Sequence, residues 1–105
     1  MTVSRVTKVL DKIWNKDYKQ RTLFCYAESL HISYENRNKG NCVILKFNDE
    51  NLAITASTDT EQTDRGEFCK MHNHLANKDE WMSAKKFEYD QLDDIKEYVD
   101  SRMNL

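Results

Sequence analysis

The chain has 105 residues, 39% of them apolar and 32% charged, with a formal net charge of −2. That length supports one domain with one core, burying roughly 60–70% of its unfolded surface, and no apolar run approaches the ~20 residues of a membrane span. Proline is absent and the only glycines are Gly40 and Gly66. A Walker A loop and a dinucleotide fingerprint both need clustered glycines near phosphates, so neither can be written here; a GxSxG elbow and a kinase signature are missing too.

The opening MTVSRVTKVLDKIW intersperses charges where a secretory signal needs continuous apolarity, and Asp11 and Asp17 argue against a transit peptide. It reads instead as an amphipathic helix from about Val3 to Tyr18, with Val3, Val6, Leu10, Ile13 and Trp14 on one face. Residues 22–35 look extended: Phe24, Tyr26, Leu30, Ile32 and Tyr34 alternate, and the break at Glu28 marks a bend between two strands. The loop NRNKGN turns at Gly40. CVILKF (42–47) and LAITAS (52–57) follow as a hairpin joined by NDEN, and CVIL, apolar on both faces, belongs in the middle of the sheet.

Residues 58–64 form a polar loop. Asp64 with Glu67 resembles a capping pair opening a short helix over about 65–76, with Phe68, Met71 and Leu75 inward. KKFEYD (85–90) reads as the last strand, with a helix from 79 onwards as its competitor. The final helix takes Asp90 as N-cap, with Asp93 in its first turn and Leu92, Ile95, Val99 and Met103 as its apolar seam. The expected fold is a single α+β domain over 1–105. A mainly antiparallel sheet of 4–5 strands carries N- and C-terminal amphipathic helices and one short internal helix.

The three cysteines, Cys25, Cys42 and Cys69, are odd in number and widely spaced, which favours reduced thiols and a cytoplasmic protein. The segment FCKMHNH (68–74) brings Cys69, His72 and His74 together. Cys-x2-His spacing suits a metal ligand pair, with His74 as a third ligand and Cys25, Cys42 or His31 as a fourth. A helix there would point His72 and His74 about 200° apart, and no second Cys/His pair exists, so no metal or other cofactor is expected. Cys69 as a nucleophile lacks a neighbouring oxyanion hole or phosphate cradle. Phe24, Tyr26 and Tyr34 suggest a stacking platform for RNA, but no RNP-like sequence accompanies them and they are expected in the core.

Charge is strongly polarised: residues 1–46 carry a net +5 and residues 47–105 a net −7. Arg5, Lys8, Lys12, Lys16 and Lys19 fall within a helical sector of about 80°, a stripe some 20 Å long. Asp93, Asp94, Glu97 and Asp100 occupy a sector of about 120° away from the apolar seam of the last helix. Charged outer faces are ordinary on amphipathic helices. With catalytic motifs absent, however, they direct the functional reading to surfaces.

The leading expectation is a non-enzymatic inhibitor or adaptor, of the kind compact phage or mobile-element proteins supply, that binds a protein partner through these ridges. The ridges would also suit a homodimer, one basic helix meeting the other protomer's acidic one. A second reading is nucleic-acid binding along the basic stripe, against which stands a pI near 5.9. A third is a metal-dependent hydrolase or nuclease on Cys69, His72 and His74. Membrane binding is not expected, because the apolar face of the first helix is needed for the core.

Overall fold

The computed structural model describes residues 3–26, 29–36, 38–39, 41–57, 60–63, 66–69 and 84–104; for 21–26, 29, 55–57, 60–63 and 66–69 the description is of the backbone. Helix α1 spans Val3–Ile13. Four strands follow, β1 (Tyr18–Tyr26), β2 (Ser29–Asn36), β3 (Asn41–Phe47) and β4 (Leu52–Ser57), then the short pair β5 (Thr60–Thr63) and β6 (Gly66–Cys69). Strand β7 (Lys85–Phe87) and helix α2 (Leu92–Met103) complete the described chain. An antiparallel five-stranded sheet has the order β1-β2-β3-β4-β7, and β5 and β6 form a separate two-stranded sheet. The protein is thus a small α+β domain.

The central place of β3 follows from its sequence. Cys42, Val43, Ile44, Leu45 and Phe47 are all buried, as a strand covered on both faces requires. Ile32, Val43, Leu45, Phe47, Leu52, Ile54 and Phe87 share a core with Val6, Val9 and Ile13 of α1 and Ile95, Val99 and Met103 of α2. Both helices therefore lie on one face of the sheet.

Helix α1 is shorter than its periodicity predicts. The backbone N–H of Asp17 donates to the Asn15 side-chain oxygen at 2.9 Å and that of Tyr18 to the Asn15 carbonyl at 3.0 Å. This Asx turn offers the backbone an alternative to another helical turn, and the chain leaves as β1 at Tyr18. Trp14 and Val3, expected on the apolar face, are 71% and 82% exposed.

Two strands flank residues 27–28, where the broken alternation at Glu28 predicts a bend. The pairing also changes which residues share a face. Tyr26 pairs with Ser29 and Phe24 with His31, whereas Leu23 pairs with Ile32. Phe24 thus shares a register row with His31 and not with Leu30, Ile32 and Tyr34, because a two-residue connection reverses the parity of the alternation. Tyr34 packs against the helical core, and its hydroxyl donates to Gln20 Oε1 at 3.3 Å.

Three further expectations are corrected. Residues 66–69 form a strand paired with Thr60–Thr63, not the start of a helix; Gly66, a poor helix former, opens it. Of the expected helix, 70–76 lie outside the described residues. The N-cap of α2 is Gln91, not Asp90: its side-chain oxygen accepts from the Glu88 N–H at 2.8 Å and its carbonyl accepts the first helical bond, from Ile95 at 2.9 Å. Cys42, expected as a thiol, is in a disulfide bond; separation along the chain says nothing about proximity once strands pair.

Candidate functional site

The structure scatters the basic stripe over three elements. Arg5, Lys8 and Lys12 lie on α1, Lys16 in the turn after it and Lys19 on β1. Two of the five are engaged within the chain. The Arg5 guanidinium donates to the Asp49 carbonyl at 2.9 Å and lies 5.0 Å from the centroid of the Tyr89 ring. The Tyr89 hydroxyl donates to the Asn48 carbonyl and stands 3.0 Å from that of Asn51, so Arg5 and Tyr89 together clamp the β3–β4 turn. Lys12 reaches Asp93 at 2.7 Å. That pairing holds the exposed Asp93 carboxyl below its ordinary range, so its small contribution to stability is present near neutrality and disappears as acid protonates Asp93. The remaining cations, Lys8, Lys16 and Lys19, are exposed.

The acidic ridge divides in the same way. Asp93 is taken by Lys12. Asp100 accepts from the Tyr18 hydroxyl at 2.7 Å on one oxygen and from Lys96 at 3.0 Å on the other. Asp94 and Glu97 are exposed, and no described lysine or arginine forms an ion pair with either; Asp94 accepts a long hydrogen bond, 3.4 Å, from Gln91.

These two acids border a groove of about 390 Å³ between α2 and β7. Its helical wall carries Gln91, Asp94, Glu97 and Ser101, its strand wall Lys85 and Lys86, and Phe87 and Tyr98 line it between them. The Phe87 and Tyr98 rings meet at 5.5 Å in a tilted contact, a favoured geometry for an aromatic pair. Lys85 lies 5.8 Å over the Phe87 ring and Arg102 lies 5.3 Å over Tyr98. Strand β7 pairs with β4 on one side and ends the five-stranded sheet among the described residues. Among the described residues the groove thus combines an apolar floor, two carboxylates without an ion-pair partner facing a wall with two lysines, and an adjoining sheet edge.

The chain sequence identifies Asp94 and Glu97 as part of the ridge but not as a pair set apart from Asp93 and Asp100. It also misses Phe87 and Tyr98 as a floor, since their contact depends on β7 pairing with β4. A second omission lies on the sheet face away from the helices. There His31, Ser33 and Glu35, alternating along β2, are buried to 1%, 0% and 2% exposure. The alternation of His31, Ser33 and Glu35 was the available signal, because they are the polar partners of the apolar face already recognised.

Of the expected metal ligands, His72 and His74 lie outside the described residues, and Cys69 stands in β6. Among the described residues no group of three or more His, Cys, Asp or Glu is placed to hold a metal ion. No described helix is long and apolar enough to cross a membrane. No family model, no curated protein and no solved structure matches the chain.

Proposed function

We propose that this protein is a non-enzymatic interaction module that takes an extended, basic segment of a protein partner into the groove between α2 and β7. The observation that carries this reading is that Asp94 and Glu97, which form no ion pair with a described lysine or arginine, border a groove floored by Phe87 and Tyr98, with Lys85 and Lys86 confined to its opposite wall. Carboxylates at the rim of an apolar groove steer and orient a cationic partner, while the aromatic floor supplies the burial. The adjoining edge of β7 suits a segment that adds alongside the sheet, a mode in which backbone hydrogen bonds supply affinity and side-chain pockets supply selectivity.

This narrows the surface expected from the ridges. Arg5, Lys12, Asp93 and Asp100 serve the fold first, which leaves Asp94 and Glu97 as the principal partner-binding acids. An inhibitor or adaptor acts in this way, by occupying or bridging a segment without chemistry. The nucleic-acid reading draws less support, because Arg5 and Lys12 are engaged within the chain and Lys8, Lys16 and Lys19 lie on three different elements rather than along one helical face.

The test compares pull-downs from source-cell lysate, with and without nuclease, by the wild type, Asp94→Lys/Glu97→Lys and Lys8→Glu/Lys16→Glu. A partner held by the wild type and by the lysine variant, and lost at least ~10-fold by the acid variant, is expected for two rim charges of a few kcal/mol together. Retention by the acid variant, or recovery that disappears with nuclease, overturns the proposal.

A further inference from the structure

We propose that Cys42 and Cys69 form a redox-responsive cross-link that ties the β5–β6 hairpin to the central strand. The starting observation is that Cys42, fully buried at the start of β3, is in a disulfide bond. The chain offers two partners, Cys25 and Cys69.

The strand registers exclude Cys25. It pairs with Leu30, and Leu30 pairs with Phe47, so Cys25 occupies the Phe47 row of the sheet. Cys42 sits at the other end of β3, in the row of Glu35 and Ser57. Five residues separate the rows, about 16 Å along a strand, and two strand spacings add about 10 Å across. A disulfide needs Cα atoms within about 7 Å.

The registers do not exclude Cys69, which leaves it as the partner. Ser57 is the direct neighbour of Cys42 on β4. Thr60, three residues on, is the direct neighbour of Cys69 on β6. A three-residue connection spans at most about 10 Å and the two strand spacings add about 10 Å, so the path from Cys42 through β4 and β5 tethers Cys69 within about 20 Å of Cys42, a range that includes disulfide contact.

The bond has a mechanical consequence. Strands β5 and β6 pair with each other and, among the described residues, with no strand of the large sheet. A two-stranded hairpin alone is marginal in water. The cross-link therefore does what ladder hydrogen bonds do for β1 to β4, and it closes the chain segment that carries β4, β5 and β6.

Formation is thiol–disulfide exchange with a low-molecular-weight disulfide as oxidant. One cysteine thiolate displaces a thiol from the oxidant and forms a mixed disulfide. The second cysteine then displaces the remaining thiol. The two cysteines lose two electrons and two protons, and the oxidant is reduced to two thiols.

Two measurements on the full chain test this. Non-reducing peptide mapping after thiol alkylation of oxidised protein is expected to recover a Cys42–Cys69 cross-linked peptide with Cys25 alkylated. Alkylated Cys42, or a Cys25–Cys42 peptide, overturns the assignment. Hydrogen exchange with and without dithiothreitol is expected to show amides of 60–69 losing protection while those of α2 keep theirs. Reduction should also lower Tm by roughly 10–20 °C, as loss of a disulfide closing a loop of this size does in a small domain. Cys69→Ser should abolish both responses and Cys25→Ser neither. If Cys42→Ser fails to fold, Cys69→Ser still carries the test, and a Cys69→Ser protein whose exchange and Tm still respond to dithiothreitol refutes the proposal.

Discussion

Tyr18 shows how much one residue at an element boundary can hold. As the first residue of β1 it donates its hydroxyl to Asp100 at 2.7 Å and accepts from the Asn104 side-chain amide at 2.8 Å, joining the first strand to the end of α2. Burial, and after it the hydrogen bond to Asp100, pushes the hydroxyl up to about 12 from an ordinary value of 10.0. A group whose folded value lies above its unfolded one contributes stability in full below the unfolded value and loses it as pH rises through the folded one. Tyr18→Phe is therefore expected to cost about 1 kcal/mol near neutrality and to lose less stability than the wild type between about pH 10 and about pH 12. Urea midpoints at both ends of that window measure it. Parallel declines in the two proteins would show that Tyr18 is not coupled to folding in this way.

At the scale of elements, helix α2 is stabilised by its own terminal charges and, at its C-terminus, by residues outside it. Asp93 and Asp94 in the first turn and Arg102 in the last complement its dipole. At its C-terminus the Met103 carbonyl accepts from the side-chain amides of Asn36 at 3.0 Å and Asn41 at 3.2 Å, both buried. Helix ends leave carbonyls without helical partners, and here the β2–β3 connection supplies them. The loop signal in NRNKGN is correct, since Asn36 closes an Asx turn with the Asn38 N–H at 3.2 Å. Its service to a helix some 60 residues away is visible only in three dimensions. Asn41→Ala should cost about 1–3 kcal/mol, because a buried carbonyl loses a donor without gaining water. A change below about 0.5 kcal/mol in denaturant unfolding, the ordinary range of a surface substitution, would mean that Asn36 alone caps the helix.

Across the whole molecule, one sheet face is shared by both helices, and this decides which apolar residues matter. Leu45 is fully buried at the centre of β3 within the core that includes residues from both helices. Leu45→Ala is expected to cost about 2–5 kcal/mol, a large part of the ~5–15 kcal/mol that holds a domain of this size. Trp14→Ala should change stability by less than about 0.5 kcal/mol, as an exposed position does, although helical periodicity ranks Trp14 with the core. Thermal denaturation of the two variants separates them. Comparable losses would place Trp14 in an interface of the folded state. The charge ridges obey the same whole-molecule logic: they run close enough for Lys12 to meet Asp93, so part of each is spent within one chain and only part remains for a partner.

Elements whose cause is local were legible in the chain. The apolar seam of α2, the β3–β4 hairpin and the central position of CVIL depend on spacing and on side chains a few residues apart, and all three are present. The early stop of α1 was less legible, because a helical period and an Asx turn at Asn15 compete over the same residues and the turn wins through bonds to Asp17 and Tyr18. Strand pairing lies beyond any local signal. It moves Phe24 out of the Ile32 row, makes 66–69 a strand, separates Cys25 from Cys42 and brings Phe87 under Tyr98. Local patterns record which face a residue prefers. Which residues then meet depends on register and packing, whose energies come from neighbours far along the chain, and the α2–β7 groove is a product of that second kind of information.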